Sequence, residues 1–106
     1  MTTTWNIIKL ICKTTDGNLS NVVYRIHWEC KKSDTANNTV SEEGICTLSQ
    51  PDPNNFIQYN SLTKAEVVAW VQSTLGATFV NLVETRLTER LNEKLSTVTL
   101  DPPFNN

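Results

Sequence analysis

Thr3-Thr4-Trp5-Asn6-Ile7-Ile8-Lys9-Leu10-Ile11-Cys12-Lys13-Thr14 and Asn21-Val22-Val23-Tyr24-Arg25-Ile26-His27-Trp28-Glu29-Cys30-Lys31-Lys32 decide the fold. In both stretches apolar and polar residues alternate with period two in β-branched and aromatic company, which predicts two strands. Between them Asp16-Gly17 supplies the central pair of a type I′ turn, because both residues tolerate the positive φ that such a turn requires. That turn sets Thr15 against Asn18, then Ile11 against Val22, Lys9 against Tyr24, Ile7 against Ile26 and Trp5 against Trp28. One face of the hairpin is then almost wholly apolar. The other carries Asn6, Ile8, Leu10 and Cys12 against Asn21, Val23, Arg25 and His27, a mixed face that is either wet or covered by another element.

Moving outward, Thr39 to Ser49 alternates less cleanly and is expected as a third strand. Gly44 in its middle marks either a bulge or room for a large neighbour such as Trp28. Pro51-Asp52-Pro53-Asn54-Asn55 ends the strand, since prolines cannot continue a ladder. Thr63 with Glu66 three residues on forms a capping box, and Leu62 can staple onto Val67, so a helix is expected from Lys64 to Leu75, with Gly76 as its left-handed end. Past Gly76, Phe79, Val83, Leu87, Leu91 and Leu95 recur every four residues and predict a second amphipathic helix. Its polar face mixes Arg86, Glu89 and Arg90 and points to solvent or to a polar partner. Trp5, Tyr24 and Trp28 are expected beneath the Val67, Trp70 and Val71 face of the first helix.

The expected class is therefore α+β: an antiparallel sheet of three or more strands, then two helices, then an extended proline-containing tail. Residues 1–99 form a single domain and residues 100–106 an arm. Leu100, Pro102, Pro103 and Phe104 make the arm apolar and stiff, so that it either reaches a neighbouring subunit or packs back on its own sheet.

At 106 residues one domain is the ceiling, and about two-thirds of the unfolded surface is buried on folding, enough for one core. Nine Lys+Arg against 11 Asp+Glu give a formal charge of -2, without the basic excess that drives counterion release from nucleic acid. Neither a basic-apolar leader nor a membrane-spanning apolar run is present, so export by the usual route and membrane insertion are not expected.

Three cysteines and one histidine nominally make a Cys3His zinc set. In the hairpin register, however, Cys12 and Cys30 point to opposite faces. With Trp28 across from Gly44, Cys46 pairs with Ile26 and lies four residues, about 13 Å, from Cys30. Reduced thiols are expected, and no metal or other cofactor. His27 has only Asn6 opposite it, and Glu42 and Glu43, adjacent on a strand, face opposite ways, so no general-base or carboxylate pair forms. No glycine-rich phosphate loop or nucleophile elbow is present, and neither an enzyme nor a small-molecule substrate is expected.

The order of parts, with Phe56-Ile57-Gln58-Tyr59 leading into Leu62-Thr63-Lys64-Ala65-Glu66-Val67-Val68-Ala69-Trp70-Val71 and a Pro-Pro-aromatic end, resembles a family of short uncharacterised proteins of tailed bacteriophages, cyanophages prominent among them. Where members of that family end in Pro-Pro-Leu-Pro-Trp, this chain has Pro102-Pro103-Phe104-Asn105-Asn106. The resemblance implies a virion accessory component, decorating the capsid or attached to the tail, made in the host cytoplasm. Its partners would be other virion proteins or further copies of itself, contacted through Ile8, Leu10 and Val23 of the mixed face and Leu100, Pro102, Pro103 and Phe104 of the arm. The alternative is a nonvirion phage protein that binds and modulates a host factor.

Overall fold

The computed structural model describes residues 1–48 and 57–104. Strands β1 (Thr2–Asp16), β2 (Leu19–Ser33) and β3 (Thr39–Thr47) form one antiparallel sheet in the order β1-β2-β3. A short 3-10 turn, Tyr59–Ser61, leads into α1 (Lys64–Leu75), and α2 (Ala77–Ser96) follows after one residue. The expected α+β order is thus present. The expected end of β3 at Ser49, the Pro51–Asn55 break and Phe56 lie outside the described residues, as do Asn105 and Asn106.

The hairpin turn differs from the expected one. Asp16 pairs with Leu19, so Gly17 and Asn18 are the central residues. The positive φ of 62° falls on Gly17, the first central position, as a type II′ turn requires. This shifts the register by two residues near the turn and at the open end, which leaves the faces unchanged: Trp5 meets Cys30 rather than Trp28, and Ile7 meets Trp28 rather than Ile26.

Two bulges then correct the middle. One extra residue at Ile8 in β1 and another at Tyr24 in β2 enclose a stretch in which Lys9 pairs with His27, Leu10 with Ile26 and Ile11 with Arg25. An unbroken ladder would put Lys9 on the apolar face and Leu10 on the mixed one. The Ile8 bulge repairs both faults, sending Lys9 to solvent and Leu10 against the core. Tyr24 is corrected likewise. It sits at the second bulge, outside the central cluster, its ring flanked by Lys13 Nζ at 5.6 Å and Arg25 Cζ at 5.3 Å.

Trp5, Ile26, Trp28, Cys30 and Cys46 from the sheet pack against Val67, Val71, Val83 and Leu87 from the helices. Both helices therefore cover the same face. The Trp5 and Trp28 rings lie 5.3 Å apart at 44°. Trp28 stands opposite Gly44, and Ile26 opposite Cys46, so of the two readings of Gly44 it is room for a large neighbour that holds, not a bulge. Fully burying a valine or leucine contributes about 1.5–3 kcal/mol, so Val71, Val83 and Leu87, each with 0% exposure, clamp the helices to the sheet.

The predicted cap is present at Thr63, whose Oγ1 accepts from the Glu66 backbone N–H at 3.2 Å, and the Glu66 carboxylate turns back to accept from the same hydroxyl at 2.9 Å, where a full capping box would use the Thr63 backbone N–H. The polar face of α2 is exposed at Glu89 and Arg90, as expected, and its cations also bond to the sheet. Arg86 donates twice to the Glu42 carboxylate, Arg90 to the Ser41 carbonyl and Lys94 to the Thr39 carbonyl, so cations spaced one turn apart dock along β3. Glu42 faces Arg86 while Glu43 lies 3.6 Å from His27, on opposite sides of β3 as the strand alternation demands.

Candidate functional site

The N-terminal turn of α1 lies along β1 at the Ile8 bulge. Between them runs an open groove of about 580 Å³, bordered by Ile8, Leu10, Leu62 and Val67 and by a polar rim of Asn6, Glu29 and Lys64. The bulge turns Ile8 outward, leaving it 41% exposed. Leu62, positioned by the α1 cap, packs on the core from the other wall. On the rim Lys64 Nζ donates to Asn6 Oδ1 at 2.9 Å, and Asn6 Nδ2 donates to Glu29 Oε1 at 3.0 Å. The amide thus separates the cation from the carboxylate.

Of the residues expected to bind a partner, Ile8 and Leu10 come together in this groove. Val23 does not join them: it packs against the core instead of standing on an open mixed face, because the Tyr24 bulge re-aims its end of β2. Leu100, Pro102, Pro103 and Phe104 lie in the segment after α2. There Val98 and Leu100 are each 76% exposed and Phe104 81%, so the segment is not packed on its own sheet. Asn6, Leu62 and Lys64 are groove residues that strand and helix patterns do not single out. Leu62 carried a signal as the staple of α1, but its apposition to β1 is a long-range placement.

The chemistry-bearing side chains are dispersed. Cys30 and Cys46 are buried and Cys12 is half-buried, all three unpaired. Burial pushes the Cys30 thiol up to about 12, with Glu84 acting in the same direction, and burial also raises Cys12 and Cys46, so at all three the environment disfavours the thiolate. Among the described residues no group of three or more His, Cys, Asp or Glu gathers as metal ligands would. His27 has Lys9 and Ile45 as cross-strand neighbours, not the expected Asn6, which pairs with Glu29, and its imidazole lies beside the Glu43 carboxylate with no hydroxyl or thiol opposite it. A second shallow concavity, at the α1–α2 joint around Gln72, Gly76 and Asn81, holds no ionisable side chain. No described helix is long and apolar enough to cross a membrane. What the groove offers is an apolar surface with a polar rim that carries one cation, Lys64, and one acid, Glu29.

The profile of the family described as a domain of unknown function, DUF7936, matches residues 1–103. The chain belongs to this family. The matched DUF7936 unit takes in the sheet, both helices and the following segment as far as Pro103, so the groove residues, Leu100, Pro102 and Pro103 fall within it and Phe104 lies just beyond. No curated protein and no solved structure matches the chain.

Proposed function

We propose that this DUF7936 chain is a non-enzymatic accessory structural component of a tailed-phage particle, on the capsid or the tail, and that it acts through protein–protein contacts. The phage setting rests on the sequence resemblance around Phe56–Val71 and the Pro-Pro-aromatic end. The observation that carries the mode of action is the segment after α2, in which Val98, Leu100 and Phe104 are each at least three-quarters exposed. Apolar side chains held out on a proline-stiffened segment lose little conformational entropy when they are buried by another surface.

Peptide mass spectrometry with copy-number estimation on gradient-purified particles tests the proposal. Tens to hundreds of copies per particle are expected for decoration, and a handful for a tail or neck position, on the order of what repeated closed symmetries supply. Removal of residues 100–106 is expected to abolish incorporation and leave the domain folded. Absence of the chain from particles, with abundance in infected cells, would overturn the virion role in favour of a host-factor binder.

A further inference from the structure

We propose that residues 97–104 of one molecule dock in the β1/α1 groove of a second copy, Asp101 meeting Lys64 while Leu100 and Phe104 cover the apolar floor. This rests on the docking role given above to the same segment and supplies its receptor.

The two surfaces match in chemistry. The groove has an apolar floor of Ile8, Leu10, Leu62 and Val67 and a volume of about 580 Å³. Lys64 is exposed on its rim and its ammonium is met by the neutral Asn6 amide oxygen, so the charge is not cancelled at that contact. The nearest acid on the rim, Glu29, is held back by the other end of the same amide. The arm is the complement: exposed Val98, Leu100 and Phe104, with one acid, Asp101, also exposed between the apolar positions. An anion entering over Lys64 gains a charge partner there, while its apolar neighbours leave water on the floor.

The two surfaces also lie apart on one molecule. The end of α2 is tied to β3 through Lys94 and the Thr39 carbonyl at 3.1 Å, whereas the groove is on β1, at the opposite edge of the sheet. The arm is exposed rather than laid on its own groove. A donor at one edge and an acceptor at the other make a heterologous contact, which repeats head to tail into a ring or an open row. That is the geometry a repeated accessory component needs.

Sedimentation equilibrium of the full chain over a range of concentration and salt provides the test. A weight-average mass that rises with concentration is expected. Lys64→Glu and Asp101→Lys should each weaken association by roughly tenfold or more through like-charge contact, and the two together should restore it. Leu100→Asp with Phe104→Asp should abolish it. All of these positions are exposed, and a glutamate at the first position of α1 suits the helix dipole, so unchanged circular dichroism and thermal unfolding are expected as controls. A wild-type monomer at every concentration, insensitivity to the single reversals, or failure of the double reversal to restore association would each overturn the proposal. A chain that is monomeric in solution yet present in particles removes the groove contact and leaves the accessory role standing; self-association with absence from particles does the reverse.

Discussion

Gly44 is a residue whose absent side chain is a packing feature. A Cβ built on it would lie 2.5 Å from Trp28 Cζ2 and 2.8 Å from Cε2, closer than carbon atoms approach. The indole is 3% exposed and fixed between the sheet and the helices, so it cannot swing away freely. Gly44→Ala is therefore expected to destabilise the fold by about 1–3 kcal/mol, measured by urea unfolding, as overpacking does in close-packed cores. In a Trp28→Phe background the same substitution should cost less, because the smaller ring opens the space; equal costs in both backgrounds would show that Trp28 is not what Gly44 accommodates. Trp28 Nε1 is buried without a hydrogen-bond partner among the described residues. This pairing was legible in the sequence, since β3 has one glycine and the long aromatic of β2 has to face something small. The tip of the hairpin was less legible. Asp16-Gly17 and Gly17-Asn18 are both good turn pairs, and choosing between them moves the register by two residues without disturbing which side chains point inward.

At the scale of elements, local signals were reliable and interruptions were not. Thr63 and Glu66 fixed the start of α1, and Gly76 its end, because caps are properties of a few adjacent residues. The bulges were written as faults, a lysine on the apolar face and a leucine on the wet one, in a ladder assumed to be unbroken. The groove was illegible for a different reason. It needs α1 laid along β1, and nothing within Leu62–Val67 says which strand that helix will meet. Gly76 is both the last cap of α1 and the first of α2, with φ 87° and ψ 153° rather than the left-handed helical ψ expected of an ordinary helix end. Its N–H donates to the Gln72 carbonyl and its carbonyl accepts from Val80, so one residue closes two helices. Nothing lies within 4 Å of a Cβ placed there, and the effect of substitution is purely one of backbone conformation. Gly76→Ala should thus lower stability by about 1–3 kcal/mol in chemical unfolding without a loss of helical signal in the folded state. A neutral or stabilising outcome would mean that the joint does not require positive φ.

For the whole molecule, the consequence of two 15-residue strands is a shape that composition did not disclose. At strand rise each is about 50 Å long, well beyond the core they share with two shorter helices. The Cα radius of gyration is 18.8 Å and the longest extent 69 Å, against about 13 Å for the radius of a compact chain of this length. Elongation exposes strand edges, and the two edges are treated differently. On β3, Arg90 and Lys94 occupy the carbonyls of Ser41 and Thr39, which blocks pairing with another strand there. On β1, α1 overhangs the bulge, and Lys64 reaches Asn6 while leaving the apolar groove open. The first residues of β3 are thereby covered, whereas β1 carries the open groove. Small-angle X-ray scattering of the Lys64→Glu variant, which removes the proposed self-contact, should return a radius near 18.8 Å and a pair-distance distribution with a tail reaching toward 69 Å. A value near the compact limit would mean that the hairpin or the arm folds back over the groove. Arm and groove would then be occupied within one molecule and unavailable to a second copy.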